Sequence, residues 1–185
     1  MNADRAPQLK AIVSPLDVRM MSKKWRKLNR GFLDAVCMRN KDEVRRLLDM
    51  GANVDARNEE HDEAAIILAA RSGNAEMVEL LINQGAQVNA RDDEGRTALF
   101  FAEVSSQVFA SLVAAGADTK AKDYEGNTIL MRKVAGSPSV AEVEELLRLG
   151  IEADVRNQAG ESALDLAVSL GLVNVIERLK STPAG

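Results

Sequence analysis

The segment Gly85-Ala86-Gln87-Val88-Asn89-Ala90-Arg91-Asp92-Asp93-Glu94-Gly95-Arg96-Thr97-Ala98-Leu99 decides the fold, because partial copies of it recur along the chain. The glycines that open the copies stand at positions 51, 85, 116 and 150, which are 34, 31 and 34 residues apart. Periods of this length are typical of solenoids, in which each unit buries its apolar face against the next unit. The sequence therefore predicts a stack of similar units.

Each copy also contains a turn followed by an alcohol side chain. The pattern Asp-x-x-Gly-x-Thr begins at Asp92 and at Asp123, and a related form runs from Asn157 to Ser162. Its glycine suits a turn that few other residues can adopt. The hydroxyl at the end of the pattern (Thr97, Thr128 or Ser162) is expected to cap the helix that follows. Two short antiparallel helices should then complete each unit, at about 64–72 and 75–83 in the second unit and at about 162–170 and 172–180 in the fifth.

These copies resemble the ankyrin repeat family across about residues 29–182. The resemblance is carried by Asp92–Ala102, Asp123–Leu130 and Asn157–Ala167, and by the endings Gly51–Ala56 and Gly85–Ala90. It implies an all-α ankyrin-repeat solenoid of about five helix-turn-helix units with an N-terminal capping helix. The expected divisions are a tail and basic helix at 1–28, followed by repeats at about 29–56, 57–90, 91–121, 122–155 and 156–182.

Two departures from the repeat pattern predict local irregularities. Between its packed alanine and its closing glycine the third repeat (Ala102 to Gly116) is two residues shorter than the second (Ala69 to Gly85), around residues 104–107, so we expect a tight or distorted turn between its helices. Lys133 stands where the family packs an alanine. A buried unpaired lysine is costly, so its amine should reach solvent or find a partner.

A basic amphipathic helix is predicted ahead of the first repeat. Ser14 and Pro15 are typical of a helix start, and Val18, Met21, Trp25, Leu28 and Phe32 then form one apolar stripe. A separate short helix is expected at 32–36. Residues 1–30 have a net charge of +6 in a chain whose total is −4, so a basic arm precedes an acidic body. Residues 15–30 either cap the open end of the solenoid or contact an anionic membrane surface or nucleic acid, and both roles can coexist.

The resemblance also implies a binding function without catalysis. We expect another protein, of unknown identity, to dock on the concave face across repeats two to four, and no small-molecule substrate. Tyr124, the single tyrosine, lies among arginines in a composition common at interface hot spots. The residues expected at the repeat tips, as partner contacts, are Arg57, His61, Arg91, Asp93, Glu94, Arg96, Tyr124, Glu125, Asn127, Arg156, Gln158 and Glu161.

Catalytic, metal and cofactor sites are not expected. His61 is the single histidine, and the acidic residues around it follow one another on a turn, so their side chains diverge. Cys37 is the single cysteine and has no histidine to act as its base, so we expect a semi-buried, inert thiol. No apolar run and no leader pattern is visible, which favours a cytoplasmic protein or an effector exported without a cleaved signal.

Overall fold

The computed structural model describes residues 15–181, with side chains from residue 23 onwards. The predicted tail at 1–13, the capping role of Ser14 and the side chains of Val18 and Met21 lie outside this described part. The described chain contains ten helices, which are α1 Pro15–Cys37, α2 Lys41–Asp49, α3 Ala65–Arg71, α4 Ala75–Asn83, α5 Ala98–Phe101, α6 Gln107–Ala114, α7 Ile129–Ala135, α8 Val140–Arg148, α9 Ala163–Ser169 and α10 Val173–Lys180.

The helices pack as a single row of pairs. Consecutive helices pair within each unit, as α3 does with α4 and α9 with α10. The first helices of successive units also stack in the order α1, α3, α5, α7 and α9. In the described residues, extended pairing is limited to isolated bridges such as Arg57 with Ala64 and Lys122 with Thr128. The predicted all-α solenoid is therefore confirmed, and the exact limits of its repeats stay a prediction.

Close packing of the first helices depends on alanine. Ala69, Ala102 and Ala167 are at most 1% exposed and allow neighbouring helices to approach. The core around them is mainly aliphatic, as expected, but Phe32, Phe100 and Phe109 are buried as well. The scarcity of aromatic residues therefore does not exclude them from the core.

The N-terminal helix differs from the prediction. One continuous helix, α1, replaces the expected pair of a capping helix and a short helix at 32–36. The helix runs through Gly31 without a break, and a methyl group added there would meet no atom of another element within 4 Å. The ring of Trp25 packs against Gly51, and the side chain of Asn29 accepts a hydrogen bond from the Asn53 amide at 2.9 Å. This half of α1 therefore closes the end of the first repeat.

The third repeat is the least regular unit, as predicted. Its first helix, α5, has four residues, whereas α3, α7 and α9 have seven each. The chain becomes extended at Ala102, and α6 begins at Gln107. The backbone carbonyl of Ala102 therefore lies outside the helix. The Lys133 amine donates to this carbonyl at 2.6 Å, which is the partner that the sequence required for a buried lysine.

Capping follows the prediction at two of three positions. The hydroxyl groups of Thr128 and Ser162 accept from backbone amides three residues later, at 3.3 and 3.2 Å. Thr97 makes no such bond, so the prediction is wrong there. The amide that its hydroxyl would cap belongs to Phe100, and that amide instead donates to the Thr97 carbonyl at 3.0 Å.

Candidate functional site

The tips of the repeats form a continuous row. The Asp93 amide donates to the His61 carbonyl at 3.0 Å, and the Tyr124 amide donates to the Glu94 carbonyl at 2.9 Å. The Gln158 amide continues the series to the Glu125 carbonyl at 2.9 Å. Each tip is thus tied to the next by its backbone. The predicted tip residues are therefore brought to one edge of the molecule, and their contact with a partner stays a prediction.

The arginines that begin the repeats are engaged within this edge. A guanidinium nitrogen of Arg57 donates to the carbonyl of Arg91 at 2.7 Å and also to Asp62. Arg91 repeats the arrangement with the carbonyls of Gly95 at 2.7 Å and Lys122 at 2.6 Å. Arg156 donates to the carbonyl of Gly160 and to Asp165. These three arginines therefore hold turns together, a role that the sequence did not suggest.

Asn127 is also structural, although it was expected at an exposed tip. It is 7% exposed. Its amide group donates to Asp123 at 3.2 Å and to Glu125 at 3.0 Å, and its oxygen accepts from Asn157 at 2.8 Å. Because its hydrogen-bonding groups already have partners inside the turn, it is poorly placed to meet another protein. Sequence position alone could not reveal this, since Asn157 lies in the next repeat.

Most of the remaining tip residues are exposed, whereas the side chain of Arg96 is only 20% exposed. His61 and Asp93 approach each other at 3.5 Å, and Glu125 and Glu161 extend into solvent. The Gln158 side chain donates to the Tyr124 carbonyl at 2.7 Å. Tyr124 is 62% exposed, and its ring lies against Gly95 of the preceding repeat. The tyrosine therefore has a defined position while most of its surface is available.

Behind the tips lies a series of buried carboxylates, each paired with an arginine. The side chains of Glu63, Asp92 and Asp123 are fully buried. Their arginine partners lie at 2.6 Å (Arg71), 2.8 Å (Arg96) and 2.8 Å (Arg132), in the same order. Asp92 also accepts from the backbone amides of Glu94 and Arg96, which fixes the turn. Buried charges require such partners, so the carboxylates hold the arginines in place.

Two of these three arginines lie over the ring of a partly exposed phenylalanine. The guanidinium carbons of Arg71 and Arg96 lie 5.9 and 4.9 Å from the centre of the Phe101 ring. Glu94 then links Arg96, at 2.8 Å, to Arg132, at 3.5 Å. We refer to Arg71, Arg96, Phe101 and Arg132 as the arginine cluster. Charge–ring contacts and ion pairs hold its side chains in one arrangement across repeats two to four.

Sequence reasoning selected Arg96 and missed the other three members of this cluster. A signal was present, because Leu68, Phe101, Arg132 and Leu166 occupy the same position of successive repeats. Phe101 and Arg132 are not aliphatic, which is unexpected at a position that only packs against the core. Arg71 has no comparable signal, since its role depends on the buried Glu63.

The described residues contain no cluster of three or more His, Cys, Asp or Glu side chains suited to a metal ion. Cys37 is exposed rather than semi-buried, because α1 ends there and the neighbouring loop does not cover it. Partial desolvation of its sulfur raises the pKa of the thiol, which disfavours the reactive thiolate. None of the helices in the described part has the length and apolar character needed to span a bilayer.

A comparison with known families matched part of the chain, and a search of curated proteins found no match. The family model described as Ankyrin repeats (3 copies) matches residues 32–123. This range begins within α1 and ends at the buried Asp123. It includes the shortened third repeat and most of the arginine cluster.

Proposed function

Because the chain belongs to the ankyrin repeat family, whose repeats are generally protein–protein interaction modules, we propose that it is a non-enzymatic module that binds another protein. The binding surface consists of the exposed tips and the arginine cluster, on the concave side of repeats two to four. A cytoplasmic location suits the single cysteine. Neither a cofactor nor a small-molecule substrate is part of this proposal.

The observation that carries the proposal is the fixed arginine cluster beside an exposed tyrosine. Tyrosine and arginine are enriched among the residues that dominate binding energy at interfaces. Side chains that are already held in place lose little conformational entropy when a partner docks. The ring of Tyr124 packs against Gly95, and the arginines pair with buried carboxylates. These side chains are therefore already held in place before a partner binds.

The test compares Tyr124→Ala with Val173→Ala. The two residues are equally exposed, at 62%, but Val173 lies on α10, away from the tip row. Partners are first captured from native lysate with the wild-type chain, and the affinity of each purified partner is then measured for all three proteins. Loss of a hot-spot tyrosine should weaken binding roughly tenfold or more. The control should bind as the wild type does. Equal affinities for all three proteins would contradict the tip assignment.

A second candidate function is a contact with an anionic surface through the basic residues at 15–30. It is favoured by five exposed cations on α1 that have no hydrogen-bond or ion-pair partner in the described part of the chain: Lys23, Lys24, Arg26, Lys27 and Arg30. Such a contact should weaken steeply as ionic strength rises, whereas binding at the tips should be less affected. Deleting residues 1–28 is a poor test, since it would cut through α1 and remove Trp25 from Gly51.

A further inference from the structure

The cations of α1 from Lys23 onwards differ from the arginines of the repeats in having no partners among the described residues. Each arginine from Arg39 to Arg178 has a hydrogen-bond or ion-pair partner within the described residues. The five cations between Lys23 and Arg30 have none in that part of the chain. The repeats therefore neutralise their own guanidinium groups, whereas the five cations from Lys23 to Arg30 have no compensating group among the described residues.

Four of these five charges occupy one side of the helix, and Lys24 flanks that side. At the helical spacing of about 100° per residue, Lys23, Arg26, Lys27 and Arg30 fall within an arc of roughly 100°. Leu28 and Phe32 fall on the opposite side, where they pack against the core of the array. The cationic side therefore points away from the stack, at its end. We refer to Lys23, Lys24, Arg26, Lys27 and Arg30 as the end patch.

The shape and composition of the end patch favour a lipid surface over other anionic partners. A helix side at the end of a stack is convex, which suits a broad flat surface. Trp25 packs the edge of its ring against Gly51 and is 46% exposed, and a partly exposed indole beside basic residues is typical of a helix that lies at a membrane interface. Three of the five cations are lysines, and lysines near an anionic bilayer contribute binding through charge alone.

We propose that the end patch docks the chain end-on to a membrane containing anionic lipids. This inference rests on the second candidate function and specifies the surface involved. The acidic remainder of the chain would be repelled by such a bilayer, so the end of the stack is the side that approaches it. In this orientation the tip row and the arginine cluster stay free, and a partner protein can bind while the chain is on the membrane.

The experiment measures co-sedimentation of the full chain with vesicles of phosphatidylcholine alone and of phosphatidylcholine with about one-third phosphatidylserine. The test variant is Lys23→Gln, Lys24→Gln and Lys27→Gln together. The control is Lys120→Gln, Lys122→Gln and Lys180→Gln, three exposed lysines outside the patch. Both variants lose three positive charges, so their net charges are equal. Circular dichroism checks that each variant keeps the helical content of the wild type.

Wild type and control should bind the anionic vesicles and not the neutral ones. The test variant should lose about 100-fold in partition coefficient, since each basic residue near an anionic surface contributes roughly fivefold. Binding should also fall sharply at high salt. Equal losses in the two variants, or no binding by the wild type, would overturn the proposal. Binding to a DNA duplex but not to the vesicles would overturn the lipid assignment and leave the second candidate function standing.

Discussion

Gly95 is the residue whose environment most directly links the fold to the candidate surface. It has a φ of +81°, and a methyl group added there would lie 2.6 Å from the Tyr124 ring. Gly85 has a similar φ of +83° but has no neighbour within 4 Å of the added atom. An alanine at position 85 therefore introduces backbone strain alone, whereas an alanine at position 95 adds a steric clash with the tyrosine ring.

We predict that Gly85→Ala lowers the free energy of unfolding by about 1 kcal/mol, the cost of a left-handed alanine. Gly95→Ala should cost at least about 2 kcal/mol, because the tyrosine ring must also move. In a Tyr124→Ala background the Gly95→Ala cost should fall to that of Gly85→Ala. Urea unfolding of the single and double variants measures this coupling, and simple additivity would contradict it.

Lys133 gives a prediction about pH. Desolvation lowers the pKa of its amine in the folded state, so in the range just below the ordinary lysine pKa of about 10.4 the unfolded chain binds more protons. This contribution to stability therefore increases as pH rises through that range. The Lys133→Met variant should lack it. The urea midpoints of both proteins are measured from neutral pH to about pH 10.5. The midpoint of the wild type should rise relative to that of the variant as pH increases. A constant difference between the two midpoints would contradict the assignment.

At the scale of single elements, the caps of α5 and α7 offer a matched comparison. The Thr97 hydroxyl is buried without a hydrogen-bond partner in the described residues, while the Thr128 hydroxyl caps α7. Thr97→Val should therefore be neutral or raise the free energy of unfolding by up to about 1 kcal/mol. Thr128→Val should lower it by about 1 kcal/mol, because the Met131 amide loses its acceptor. Denaturant titration distinguishes the two, and equal effects would show that the caps do not differ.

The shortening of α5 illustrates how irregularities in two elements compensate. The chain is shorter in the third repeat, so α5 ends after one turn and exposes the carbonyl of Ala102. Lys133 in the next repeat is longer than the alanine of the family pattern and reaches that carbonyl. Two departures that look unrelated in the sequence therefore meet across the boundary between repeats.

At the scale of the whole molecule, arginines at the start of the repeats couple neighbouring units. Arg91 bonds to carbonyls in its own repeat and in the next one, whereas the amine of Lys122, at the equivalent position, has no partner in the described chain. We predict that Arg91→Met lowers the free energy of unfolding by about 2 kcal/mol, since two hydrogen bonds to a charged donor are lost. Lys122→Met should change it by less than about 0.5 kcal/mol.

Hydrogen exchange adds spatial information to this last comparison. In the Arg91→Met variant, faster exchange should appear first in the tips around Asp93 and Tyr124, because repeat arrays depend on contacts between neighbours. The Lys122→Met variant serves as the control and should exchange as the wild type does. Uniformly faster exchange along the Arg91→Met chain would indicate that the arginine does not couple these two repeats in particular.

The sequence by itself determined the architecture. The spacing of the glycines, the capping alcohols and the apolar periodicity predicted stacked helix pairs, and they also located the irregular third repeat. These features are readable because turn chemistry and helix periodicity depend on residues that are close in sequence. The break before residue 32 was wrongly predicted, because nothing local distinguishes a long helix from two short ones when Gly31 is tolerated within it.

Only the tertiary structure decided which polar side chains are available for binding. Arg57 and Arg91 looked like contact residues, but their acceptors lie 34 and 31 residues further along the chain. In the arginine cluster each arginine pairs with a carboxylate of its own repeat, and Glu94 then joins Arg96 to Arg132 of the next repeat. The physical reason is that a hydrogen bond or ion pair is a property of two groups. In a solenoid, the second group often belongs to the neighbouring repeat.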